Sequence, residues 1–294
     1  MKPTSRPRGM RSENSQVKLD QVWQRTGQEC PQGTIPLKRT TTSNFRKKYR
    51  YAVASVVDST YYGAKAVINV WNPTIDPNGE SISQLWVASR SGAGLNSIEA
   101  GWMVNPSKYQ DTQTRLFQYW TSDGYQSTGC YDHDCPGFVQ TRSDFTFGIP
   151  LKPVSTYNEQ QYDVEIIIHL DKTSKNWWVT LQGIDIGYWP ASLFTNLSDS
   201  ASMVKWGREI KNELINGHHT GTQMGSGHFP SEGYAKASYF RHVSTVDQSS
   251  SFADASLSKM VTNASCYDLL FGPPNATYGS YFYYGGRGFS DKCP

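Results

Sequence analysis

Two glutamates stand in sequence surroundings unlike those of the other acidic residues. Glu99 lies in Asn96-Ser97-Ile98-Glu99-Ala100-Gly101-Trp102, and Glu232 in Met224-Gly225-Ser226-Gly227-His228-Phe229-Pro230-Ser231-Glu232-Gly233. Two carboxyl groups that share a site do not both ionise easily, so one retains a proton as an acid while the other acts as a base. That is sufficient equipment for activating water. Glycine follows each closely, at Gly101 and Gly233, and leaves room for a second segment to approach the backbone. Most glutamates of a soluble chain are solvated surface residues, so spacing alone does not make any two of them a pair.

Both segments, together with the intervening Cys130-Tyr-Asp-His-Asp-Cys135 and the tail from Cys266 to Cys293, resemble the neprosin family of plant secreted glutamic peptidases. The resemblance runs from about residue 20 to the C-terminus and is strongest from Thr222-Gln223-Met224-Gly225 to Tyr239-Phe240. It implies a catalytic Glu/Glu pair, which falls on Glu99 and Glu232, acting on a peptide or protein substrate in acid, with cleavage after proline. It also implies secretion, synthesis as a zymogen with its own N-terminal activation segment as a partner, and disulfides Cys130–Cys135 and Cys266–Cys293, with Cys30 left over. No cofactor and no metal follow from it. Within the resembling segments Gln84, Trp86, Gln223 and Tyr239 are candidates for holding substrate or a developing oxyanion. The competing reading makes Trp86 a core residue and Gln84 a surface strand residue.

Charge divides the chain into two parts. Residues 1–50 hold 12 Lys/Arg against 3 Asp/Glu and residues 51–294 hold 16 against 22, so a leader of net +9 precedes a body of net −6. The leader's charges are scattered and few aromatics interleave them, which is the pattern of a solvated tail rather than a nucleic-acid arm. No apolar run approaches the length of a membrane-spanning helix, so no membrane partner is expected. A monomer is the expected state. Met1-Lys-Pro-Thr-Ser-Arg-Pro-Arg-Gly has basic residues but no apolar stretch after them, so either the chain is a piece of a longer precursor, which is the expectation, or the family's signal peptide has been lost. The sequons at Asn196, Asn263 and Asn275 are candidate glycosylation sites on that route.

The elements that must position the glutamates read as strands. Tyr51–Asp58, Ala64–Trp71, Ser81–Arg90, Ile98–Val104, Arg115–Thr121, Tyr162–Leu170, Asn176–Gln182 and Tyr234–Val243 are short, rich in β-branched and aromatic residues, and bounded by Gly, Pro, Asn or Asp. Only Ala191–Phe194 and Met203–Asn212 are helix candidates. This texture predicts an all-β antiparallel β-sandwich of two packed, curved sheets with little helix, covering residues 44–294. Residues 1–43 are expected to be a disordered basic leader carrying the end of the activation peptide, and Thr40–Arg50 a linker open to proteolysis. Parity places Ile98, Ala100, Trp102 and Val104 on one strand face and Glu99, Gly101 and Met103 on the other, so Glu99 is expected on the outer, concave face of a sheet. Glu232 is expected in a loop running into the strand at Tyr234.

Other chemistries lack their marks. There is no Gly-x-Ser-x-Gly, His-Glu-x-x-His, Walker A or dinucleotide fingerprint, and Cys30 lies in the leader, away from any candidate partner. His218, His219, His228 and His133 are the only imidazoles near the acidic segments, and adjacent histidines on a strand point to opposite faces. The rival from another class is a non-catalytic carbohydrate-binding β-sandwich, with Trp177, Trp178, Trp189 and Tyr281-Phe-Tyr-Tyr284 as stacking platforms, unless these residues pack between the sheets.

Overall fold

The computed structural model describes residues 1–10, 17, 19, 21, 27–38, 49–211, 218–291 and 293. Sixteen strands follow in order: β1 (Tyr49–Tyr61), β2 (Gly63–Asn69), β3 (Glu80–Ser89), β4 (Asn96–Val104), β5 (Arg115–Thr121), β6 (Cys130–Tyr131), β7 (Val139–Gln140) and β8 (Asp163–Asp171). After these come β9 (Asn176–Leu181), β10 (Ile184–Trp189), β11 (Ala201–Lys211), β12 (Ser238–Val246), β13 (Phe252–Asp254), β14 (Ser258–Val261), β15 (Asp268–Phe271) and β16 (Phe282–Gly285). One short helix, α1 (Pro106–Tyr109), is capped by the Asn105 side chain.

The strands form two antiparallel sheets. One has seven strands in the order β14-β1-β11-β3-β4-β5-β6, and the other has nine, β15-β16-β12-β2-β8-β9-β10-β7 with β13 beside β12. Alternation drives the packing. Leu85 and Val87, Ile98, Ala100 and Trp102, and Val204 and Trp206 from the first sheet meet Val164, Ile166 and Ile168, Trp177 and Val179, and Phe240 from the second. The result is the expected β-sandwich, and each of the eight strands read from the sequence overlaps an observed one, although the strand expected from Tyr234 begins only at Ser238, after a turn over residues 234–237.

Two expectations are corrected. Met203–Asn212, a helix candidate, is strand up to Lys211, in the middle of the seven-stranded sheet; Asn212 lies outside the described residues. Val204, Trp206 and Ile210 alternate inward as a strand requires, but Arg208 occupies the same inward row, its guanidinium 4.0 Å from the Trp102 ring, and hides the period. The second concerns the first ten residues, expected as a disordered tail. Thr4 and Ser5 hydrogen-bond the Asp171 carboxylate, and the Arg8 N–H donates to the Ser250 carbonyl. Of the linker expected over Thr40–Arg50, residues 40–48, including Arg46, Lys47 and Lys48, lie outside the described residues, while Tyr49 and Arg50 already belong to β1.

Cys130 and Cys135 are bonded, as are Cys266 and Cys293, while Cys30 is free. Trp177, Trp178 and Trp189 are fully buried and offer no stacking face. Of the sequons, Asn275 sits in an exposed turn, whereas the Asn196 amide is spent on the Gly94 carbonyl. Among the described residues no helix is long and apolar enough to cross a membrane.

Candidate active site

Three adjacent strands of the seven-stranded sheet build the site. β4 pairs with β3 and β3 with β11, so that Glu99 lies opposite Trp86, which lies opposite Lys205. One step along, Gly101, Gln84 and Gly207 form the next row, and beyond it Met103, Ile82 and Glu209 form a third. All nine point to the face turned from the core, as the parity of β4 predicts for Glu99. On the flanking strands, Tyr119 of β5 faces Glu99 and Tyr51 of β1 faces Glu209.

The middle row is low because two of its three residues lack side chains. A Cβ on Gly101 would sit 1.9 Å from the Ser83 carbonyl oxygen, and one on Gly207, whose φ is +151°, would sit 2.4 Å from the Ala52 carbonyl oxygen. The strands approach too closely there for any other residue. A trough therefore crosses the strands, with Gly207, Gln84 and Gly101 as its floor. Lys205, Trp86, Glu99 and Tyr119 form one wall, and Tyr51, Glu209, Ile82 and Met103 the other.

Glu99 and Glu209 stand diagonally across this low row, on β4 and β11 with β3 between them. Burial pushes the Glu99 carboxyl above its usual range, and hydrogen bonds from Tyr125 and Ser97, the nearby Gln84 amide and the Lys205 charge hold it back. The Tyr125 hydroxyl donates to Glu99 Oε1 at 2.6 Å and Ser97 Oγ donates to the same oxygen at 2.9 Å. Glu209 keeps some exposure, yet burial first, then the charges of Glu99 and Glu80, raise it well above the usual carboxylate range, with Lys205 alone opposing. The phenols of Tyr51 and Tyr119 are both raised, by burial and then by the charges of both glutamates. Two carboxyl groups thus act on one another and on the same side chains, which is the condition for one to stay protonated beside an ionised partner.

Tyr125 reaches Glu99 from a built loop. Asp123 accepts hydrogen bonds from the backbone N–H groups of Gln126, Ser127 and Thr128 and from the Ser127 hydroxyl, closing the turn after β5. Tyr125 is held within it at φ +64°, a region an aromatic residue seldom adopts. Gln84 is fully buried beside Glu99, with its side-chain amide among the groups that favour the Glu99 anion.

Glu232 is placed elsewhere. It closes a 3-10 turn, Pro230–Glu232, beside β15 and β16 of the other sheet. Its carboxylate is bonded to His228 Nδ1 at 3.0 Å and accepts from the Tyr157 hydroxyl at 3.1 Å. Slight burial raises its pKa, but the bonds from His228 and Tyr157 outweigh it and the net shift is downward. Glu99 is therefore brought together with Glu209, and the principal groups acting on Glu232 include neither of them.

Among the other sequence candidates, Gln84 and Trp86 share the trough with Glu99. Gln223 and Tyr239 do not: Gln223 Oε1 accepts from the Thr74 N–H, and the Tyr239 hydroxyl donates to Asp163. Glu209, Lys205, Ser97 and Tyr125 were not singled out by sequence reasoning. The alternation of Val204, Trp206 and Ile210 was the signal that could have found Glu209. His133 and His228 are engaged with Gln140 and Glu232, and His219 lies near Cys266 and Cys293, whose sulfurs are joined to one another rather than free to ligate a metal.

The sequence profile of the family described as Neprosin matches residues 77–287 of this chain, a span that holds all three glutamates. This chain belongs to the neprosin family. It is accordingly a glutamic-type peptidase, with a peptide or protein as substrate. Among solved structures it is similar to scytalido-glutamic peptidase bound to a peptide-based transition-state analogue, at 11% identity and a TM-score of 0.41, covering 82% of this chain and 98% of that one. It is also similar to SCP-B, a member of the eqolisin family of peptidases in complex with the tripeptide Ala-Ile-His, at 10% identity and a TM-score of 0.42, with 82% and 98% covered.

Proposed function

We propose that this neprosin-family chain is a secreted endopeptidase that hydrolyses peptide bonds in acid through Glu99 and Glu209. The observation that carries this reading is the pair's position on opposite walls of one trough, each lifting the proton affinity of its surroundings. An extended substrate lying across β11, β3 and β4 would bring its scissile carbonyl over the Gly207-Gln84-Gly101 floor, between the two carboxyl groups.

The surroundings favour different roles for the two. Glu99 accepts hydrogen bonds from Tyr125 and Ser97, both of which stabilise its anion, whereas Glu209 sits between two other carboxylates, Glu99 and Glu80. Glu99 is thus the base that draws a proton from water, and Glu209 the acid that protonates the leaving amine. The pair titrates as a unit, and a single shared proton defines the active form. The Gln84 amide, on the floor beside Glu99, is positioned to donate to the developing oxyanion, with Lys205 adding positive charge nearby.

Cleavage after proline, synthesis as a zymogen and export are parts of this proposal that rest on the family. A rim of Trp86, Tyr119 and Tyr51 is suited to stacking against a pyrrolidine ring. The deciding experiment is hydrolysis of a mixed peptide library at acid pH by the wild type and by Glu209→Gln. Loss of cleavage in the variant is expected, with residue preferences read from the wild-type products. Retention of the wild-type rate by folded Glu209→Gln would remove Glu209 from the mechanism.

A further inference from the structure

Over β8 and β9, the face of the nine-stranded sheet turned away from the core is as dry as the core itself. In β8, Ile166 and Ile168 point into the sandwich, so Glu165, Ile167 and His169 point outward, yet none of these three exceeds 1% exposure. Their neighbours on β9, Thr180 and Trp178, are fully buried too. A sheet face of this kind needs a covering layer.

Part of that cover is the N-terminal segment. Asp171, at the end of the same outward row, accepts from the Thr4 N–H at 2.7 Å, the Thr4 hydroxyl at 2.8 Å and the Ser5 hydroxyl at 2.7 Å. Arg6 is ion-paired with Asp185, and Arg8 bridges to Ser251 as a short parallel strand. Further along, Val17 is 2% exposed within the main core and its carbonyl accepts from the Gln182 amide. Residues 27–30 line an open cavity together with Thr141–Asp144, and the Lys38 ammonium sits 5.6 Å from the Tyr109 ring. The leader therefore meets the body at several separate places, from the back of one sheet to the end of the other.

We infer that the outward face of β8 and β9 is an interaction surface whose occupant is this chain's own N-terminal segment, anchored through residues 4–8, and that a cut within residues 39–48 leaves the leader bound as a second, non-covalent chain. The contacts are specific as well as numerous: a carboxylate satisfied by several donors and a guanidinium on a second carboxylate fix the register. The groups facing this anchor are His169, Asp185, Lys172 and Arg6, with Ser174 also donating to Asp171. These hydrogen bonds hold the Asp171 carboxyl well below the usual range against the opposing effect of burial, so mild acid does not discharge it. The basic leader and acidic body thus stay joined at pH 5 as at pH 7.

The test is independent of peptidase activity. In a Glu99→Gln background, a recognition site for a sequence-specific protease is placed within residues 39–48, the chain is cut, and size exclusion with mass spectrometry is run at pH 7 and pH 5. The N-terminal fragment is expected to elute with the body in equal amount at both. A fragment that elutes alone at either pH overturns the inference. The Thr4→Ala/Arg6→Ala variant, altered only in the leader, is expected to release its fragment at least about tenfold faster. Release at the unaltered rate would overturn the assignment of the anchor to Thr4 and Arg6.

Discussion

Glu99 and Glu232 read alike in sequence and differ in every physical respect in the fold. Glu99 is 4% exposed in the middle of a sheet, with a second carboxyl across the trough and its proton affinity raised. Glu232 has a third of its side chain exposed, sits at a turn, and is held below its usual value by His228 and Tyr157. The glycines near each serve different ends as well. Gly101 lets two strands close on one another, whereas Gly233 ends a turn. The contrast teaches that what prepares a carboxyl group for proton transfer is a dry site and a like-charged neighbour, not the local motif.

The largest effect that could break this contrast is on turnover. Glu99→Gln is expected to lower kcat/KM about 10³-fold, as loss of a positioned acid or base does, and Glu232→Gln to leave it within about twofold. Peptide hydrolysis at acid pH compares them directly, and the opposite ranking would return the pairing to Glu232.

Stability against pH extends the contrast of dry and wet groups to the other sheet. His169 is buried and its pKa is pushed down to about 4. Its folded value lies below the unfolded value of about 6.5, so the native state holds fewer protons and loses stability as pH falls from 6.5 through 4. The loss assigned to this group is about 3 kcal/mol. Urea denaturation of wild type and His169→Gln across that range should show a flatter profile for the variant.

Next in size is the Tyr125 hydroxyl. Tyr125→Phe removes a donor to the Glu99 anion, so the acid limb of the kcat/KM profile should move to higher pH and the rate on that limb fall about tenfold. An unmoved limb with a lower rate would make Tyr125 structural only. Smallest is the contribution of the Glu232 pair to stability. It is present above the unfolded carboxylate pKa and lost as pH falls through the lowered folded value, and for so exposed a group it amounts to less than about 0.5 kcal/mol. Thermal melts of Glu232→Gln at neutral pH measure it.

The fold was largely legible because its central strands alternate cleanly. Val164, Ile166 and Ile168 alternating with Glu165 and His169 mark a strand of the kind usually half-buried, although its polar face proves as buried as its apolar one, and the position of Glu99 followed from parity. β11 was not legible. Lys205, Arg208, Glu209 and Lys211 give it the charge density of a helix surface, and Arg208 faces inward against Trp102 and Tyr284, where an apolar residue would have completed the alternation. Mistaking that strand removed Glu209 from consideration. The shorter strands β13 to β16 carry too few residues each for a period to show. Coverage of an outward sheet face by a distant basic segment leaves no local mark at all.

The glycine floor bears on how this enzyme can be retuned. Any side chain at Gly101 or Gly207 would push neighbouring backbones apart, so the bottom of the trough resists diversification by mutation. On the proposed mechanism, new substrate preferences would come from the walls, at Tyr51, Trp86 and Tyr119, whose side chains do not set the strand spacing as the glycines do. A library confined to those three positions should keep the scaffold intact while altering which residues flank the cut.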